Sequence, residues 1–245
     1  MIKRVFSVLT ATALLAACAS QPRQTAAEAA EPERLSHPRV EIVYNAKPEL
    51  VVLDTGATPT AGFGGLLGPV GALVAIGVDA ASRNNSINQV SSRSKRFQDA
   101  VEESSGGDLA LHREYAERLA AAMRATGREV KLTPGGRAVG PARKMDLGGL
   151  NPAPGYEVML LRISTSYVAP GLASDFRPTV VVDYALRDDQ LKPITWNSVV
   201  SNGGSPSYFT YDDLLKEHKT AYAGLREKLF ATVGRVMSND FPKQE

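Results

Sequence analysis

The chain of 245 residues holds one cysteine, Cys18, placed directly behind an apolar run near its amino end. With no second thiol, neither a disulfide nor a thiolate metal site can form within one copy. Whatever folds after Cys18 must therefore be held by an apolar core. Lys3-Arg4 precede the run from Val5 to Ala17, and small residues stand just before the cysteine. A basic head, a short apolar stretch and a small-residue exit make a secretory signal, too short to cross a bilayer as a stable helix.

Leu15-Ala16-Ala17-Cys18 resembles the lipobox of bacterial lipoproteins. The resemblance implies that residues 1–17 are a lipoprotein signal peptide removed by a dedicated peptidase. It makes Cys18 the lipid attachment site, carrying diacylglycerol on its sulfur and an acyl chain on its new amine. Several acyl chains exceed the marginal hold of one, so the anchor to the membrane would be stable. Residue 19 is Ala; in that family an Asp there favours retention at the inner membrane. The resemblance therefore implies the inner leaflet of the outer membrane, with the rest of the chain facing the periplasm.

Residues 18–38 read as the lipidated cysteine and a flexible tether. Leu35 is the one large apolar side chain among Ala, Gln, Glu and Pro, too little to order the segment. Residues 19–38 would reach at most about 65 Å when extended. The 28 Lys+Arg stand against 26 Asp+Glu, and loss of Lys3 and Arg4 with the signal removes the excess. No basic stripe interleaved with aromatics appears, so nucleic acid is not an expected partner.

Residues 39–245 are ample for a single α/β domain. Val40, Ile42 and Tyr44 alternate as one strand, and a second is expected to end near Leu53 beyond the break at Lys47-Pro48. From Ala61 to Val78 every residue is apolar, Gly or Pro. Ile87, Val90, Ser94, Phe97 and Val101 share a helical face. Asp108 is the expected N-cap of a helix over 109–126, and Thr210-x-x-Asp213 opens another to about Met237. Strands are expected over 129–133, 156–168, 178–187 and 191–200, the last at an edge or carrying a bulge because of Pro193. Residues 134–155, rich in Gly and Pro, form a long loop. The expected fold class is α+β: a single domain, its antiparallel or mixed sheet carrying helices on one face. By element order alone this is similar to the small α/β periplasmic domains of several envelope accessory lipoproteins and to the TolB amino-terminal domain.

The sharpest chemical motif is Asp54-Thr55-Gly56-Ala57, behind the apolar Val51-Val52-Leu53. It resembles the Asp-Thr-Gly-Ala of aspartic peptidases, in which the Asp shares a proton with a second Asp to activate water. Retroviral-type members carry one copy per chain and dimerise. That family is nearly all-β, whereas helices follow the motif here. Gly62-x-Gly64-x-x-x-Gly68 echoes a dinucleotide loop with the spacing off by one. Its Gly-x-x-x-Gly spacing would equally suit close helix contact. His37, His112 and His218 do not form ligand spacing, and the last two fall on apolar stripes. No serine sits in a Gly-x-Ser-x-Gly elbow.

No catalytic, cofactor or metal set is therefore expected, and the reading is a non-enzymatic accessory lipoprotein that binds another envelope protein. Its candidate surfaces are residues 61–78, the 134–155 loop and the edge at Pro193–Trp196, with strand addition or helix docking as the contact. Two alternatives stand beside it. One is an aspartic peptidase using Asp54, and the other a lipid-handling domain with a cavity along residues 66–78.

Overall fold

The computed structural model describes residues 37–54, 80–171 and 173–241, the side chains of 80–88 excepted. The signal peptide, Cys18, the tether up to Ser36, Thr55-Gly56-Ala57 and the segment 61–78 lie outside the described residues. The strands are β1 (Arg39–Asn45), β2 (Leu50–Asp54), β3 (Glu129–Gly135), β4 (Glu157–Ala169), β5 (Arg177–Arg187) and β6 (Pro193–Asn202). The helices are α1 (Ala80–Ser104), α2 (Leu111–Arg124), α3 (Tyr211–Lys216), α4 (His218–Phe230) and α5 (Val233–Asp240), with a 3-10 turn at Ala142–Lys144.

All six strands join one sheet in the order β3-β1-β4-β5-β6, with β2 also beside β4. β1 runs parallel to both β3 and β4, and β2 runs parallel to β4. β5 is antiparallel to β4 and to β6. The expected α+β domain with a mixed sheet is thus the observed one. Pro193 starts the edge strand β6, and the β5–β6 register shifts beside it at Leu186/Arg187, so the proline marks both an edge and a bulge.

β1 and β2 lie end to end along one side of β4. Val40–Tyr44 face Glu157–Leu161, and Leu50–Asp54 face Thr165–Ala169. The break between them leaves Ile163 without a backbone neighbour. Asn45 fills it: its Nδ2 donates to the Ile163 carbonyl at 3.1 Å, and its Oδ1 accepts the Ile163 N–H at 2.8 Å. One side-chain amide thereby stands in for a missing peptide group. The outer edge of β2 is met by α1. Leu50 N–H donates to Gln98 Oε1 at 3.3 Å and Val52 N–H to Ser94 Oγ at 2.9 Å. Residues one helical turn apart match a two-residue step along the strand, because the rises are about 6 and 6.6 Å.

Alternation sorts the two faces of the sheet. Ile42, Met159, Leu161, Ile163, Tyr167, Val180, Val182 and Tyr184 pack against helix residues such as Phe97, Tyr115, Leu119, Met123, Leu225 and Leu229. The opposite parity, Val43, Val158, Leu160 and Ala185, lies under Ala138, Ala142 and Met145 of the β3–β4 connection. Helices cover one face, and a non-helical connection covers part of the other.

Four expectations change in detail. The helix expected over 210–237 is three, α3 to α5. At its second break Tyr115 Oη bonds Thr232 Oγ1 at 3.0 Å while Thr232 donates to the Leu229 carbonyl at 2.7 Å, a local bond that competes with the helical ladder. Thr210 does cap α3, accepting Asp213 N–H at 3.1 Å. Asp108 does not cap α2, whose N-cap is Ala110; its carboxylate pairs with Arg113 at 3.1 Å instead. β3 runs on to Gly135, so the long loop begins two residues late. His37 and Pro38, read from composition as tether, are already docked on the domain. Pro38 accepts Glu129 N–H at 2.8 Å, and His37 lies 2.5 Å from Glu157 Oε2 with its ring edge-on to Phe241.

His112 is wholly buried on α2, its Nδ1 donating to the Asn45 carbonyl at 2.9 Å. Burial pushes its pKa from 6.5 down to about 4, Arg137 adding to the fall and the Asn45 carbonyl opposing it. A histidine lowered on folding stabilises the native state above the unfolded pKa and loses that contribution as pH drops. Stability should therefore decline from pH 6.5 to about 4, by on the order of 3 kcal/mol from this residue. Denaturant unfolding across that range should show the slope, and His112→Leu should flatten it. An unchanged slope in the variant would clear His112 of the effect.

Candidate functional site

Asp54 is the described residue of the peptidase-like motif. It ends β2, and Arg93 of α1 holds its Oδ2 at 3.0 Å. Arg93 is positioned in turn by Tyr211, whose ring lies 5.1 Å from the guanidinium and whose hydroxyl donates to the Arg93 carbonyl at 2.9 Å. Asp54 thus meets a cation that is itself held on an aromatic ring. The three histidines lie in separate places: His37 beside Glu157, His112 in the core, and His218 on α4 with its Nδ1 3.0 Å from the Leu215 carbonyl. Among the described residues no group of three or more His, Cys, Asp or Glu could hold a metal ion.

The described residues do converge on the sheet face opposite the helices. Arg162 of β4 and Asp183 of β5 are cross-strand partners flanked by apolar residues in mid-strand, and both are buried. Arg162 Nη2 and Nε reach Asp183 Oδ2 at 2.7 and 3.2 Å. Its Nη1 donates to the carbonyls of Ala138 at 3.2 Å and Gly140 at 2.7 Å. One guanidinium thus neutralises a buried carboxylate and ties the β3–β4 connection to the sheet. The connection is built throughout. Val139 and Asp146 exchange backbone bonds at 2.8 and 3.0 Å, and Arg187 donates to the Met145 carbonyl. Gly140 has φ +84°, and a Cβ there would stand 3.0 Å from the Lys144 carbonyl, so the turn admits glycine alone without strain. At the far end Glu41 accepts the Ala153 N–H at 2.7 Å and the Thr133 hydroxyl. Burial raises the pKa of Glu41, yet these bonds and Lys131 together hold it below the usual carboxylate value.

This scaffold presents apolar side chains to solvent. Trp196 is 50% exposed, Val200 36% and Val139 67%. Trp196, Ser198 and Val200 share one face of β6, opposite Ala185, Asp183 and Val181. The backbone edge of β6 is partly engaged: Ser198 N–H bonds Asn197 Oδ1 at 2.9 Å, and Arg235 Nη1 donates to the Val200 carbonyl at 2.8 Å. At the other end of the sheet Arg124 does the same for the Val130 carbonyl of β3 at 2.6 Å. Such caps blunt a sheet edge against pairing with further strands. On β6, the exposed side chains of Trp196 and Val200 offer an apolar contact.

Sequence reasoning placed Trp196 and the loop here but missed Val139, Arg162 and Asp183. The legible signal was a charged residue inside each of two apolar strands, since a buried charge requires a partner. Breaking the pair on one side leaves an uncompensated buried charge, so Arg162→Leu or Asp183→Leu alone should each cost about 3–5 kcal/mol. The double substitution should recover most of that in denaturant unfolding. If each single variant is as stable as the parent, the pair does not hold the connection.

The chain matches no protein-family model and no curated protein. One solved structure that it matches is the 2.35 Å crystal structure of a minor lipoprotein from Acinetobacter baumannii, at 12% identity and a TM-score of 0.33. The overlap covers 54% of this chain and 88% of that one. It is too slight to carry a role from one protein to the other.

Proposed function

We propose that this protein is a lipid-anchored lipoprotein of the bacterial envelope whose α+β domain binds another envelope protein rather than performing catalysis. The anchor rests on Cys18 and the lipobox-like residues before it. No helix among the described residues is long and apolar enough to cross a membrane. The absence of Asp after the cysteine favours the inner leaflet of the outer membrane. The binding role rests on one observation above all: Val139 is exposed on a connection tied to the sheet by the buried Arg162–Asp183 pair, and Trp196 and Val200 are exposed on β6, which pairs along β5. Aromatic side chains on rigid supports are common anchors of protein interfaces, because little conformational entropy is lost on binding.

Mass spectrometry of the mature protein should find acylated Cys18 as the first residue, and Cys18→Ser should release the protein from membranes. An unmodified thiol, or a mature chain starting elsewhere, would refute the anchor. Crosslinkers placed at Val139 and Val200 in cells should capture the same partner, and Trp196→Ala should weaken its binding by roughly tenfold. Asp54→Asn separates this reading from the peptidase. Loss of a proteolytic activity with the fold intact would overturn the binding role.

A further inference from the structure

A groove of about 470 Å³ lies between α2 and α4, away from the sheet, lined by Arg118, Ala223, Arg226, Glu227, Phe230 and Ala231. Its α4 residues recur at positions three, four, seven and eight from Ala223, the spacing of one helical face. The alanines leave the space, and Phe230 forms its apolar floor. The two arginines sit against that ring, the Arg118 guanidinium carbon 4.7 Å and that of Arg226 4.6 Å from its centroid. Stacking on an aromatic face restrains a guanidinium while leaving its N–H donors at the edge free. Arg226 spends its Nε on Glu114 at 2.7 Å. Among the described residues, no carboxylate lies within ion-pair distance of Arg118. Glu227 on the rim likewise has no cationic partner there.

We infer that this groove binds the side-chain carboxylate of an acidic peptide. Arg118 supplies the open fork, the terminal nitrogens of Arg226 supply a second, Phe230 holds both in place, and Ala223 with Ala231 leaves room for the adjoining apolar group. A planar carboxylate matches a guanidinium edge bidentately. Glu227 argues against a dianion such as phosphate, because it sets a like charge at the mouth of the groove. The site is separate from the Trp196 surface, so it does not depend on the binding role proposed for that surface.

Fluorescence anisotropy with the full chain tests the assignment, using a labelled, C-terminally amidated Ala-Glu-Ala-Ala-Glu peptide and its Gln counterpart. The Glu peptide should bind and the Gln peptide should not. Arg118→Gln should weaken binding by roughly tenfold or more, as for loss of one charge-assisted bonded pair, and Glu227→Gln should strengthen it. Circular dichroism confirms that both variants fold, as expected for exposed positions. Equal binding of the two peptides, no effect of Arg118→Gln, or no binding at millimolar peptide would each overturn the proposal. So would inorganic phosphate or anionic phosphatidylglycerol vesicles binding through Arg118 when the peptide does not.

Discussion

β4 is buried almost from end to end across thirteen residues, so each of its backbone groups must find a partner inside the protein. β5 satisfies one side in a single antiparallel run. The other side is longer than either β1 or β2, and the chain meets it with both strands and one side chain. Asn45 is the joint: its amide replaces a peptide group at Ile163, and its own carbonyl takes the buried His112. An unpaired amide and carbonyl at the centre of the sheet would each cost about 1–3 kcal/mol. The lateral position of β2, and of α1 along its outer edge, follows from filling this gap.

The second face of the sheet obeys a different logic. Helices bring hydrogen bonds of their own, whereas an irregular connection laid over a sheet carries carbonyls that must be satisfied locally. Arg162 does this for Ala138 and Gly140 while offsetting the charge of Asp183, Arg187 does it for Met145, and Glu41 accepts the Ala153 N–H farther along the connection. Buried charge in this protein is thus the means by which a glycine- and proline-rich segment is held in one conformation. The same rigidity makes Val139 and Trp196 a fixed surface.

Among the described residues, the outer edges of β2, β3 and β6 each receive hydrogen bonds from side chains. A domain tethered at high local concentration on a membrane would gain from such protection, since unpaired edges invite pairing between copies. In the proposed role, partners are selected by side chains rather than by added strands.

Much of the secondary structure was legible along the chain because it is written in local periodicity. The β-forming run over 156–168, the alternation in 178–187, the stripes of α1 and α2, the Thr210 cap and the breaks at proline and glycine are properties of neighbours within a few residues. The lone cysteine and its surroundings likewise set the expected address without any fold. Tertiary structure alone decided that Asn45 fills a gap left 118 residues away, that Arg162 finds Asp183, and that Asp54 faces Arg93. It also decided which of the two faces of β6 meets solvent, and so made Trp196 surface rather than core. Those outcomes depend on strand order and register. Both are settled by which packing buries every apolar face and pairs every polar group together, a condition on the whole chain that no local window contains.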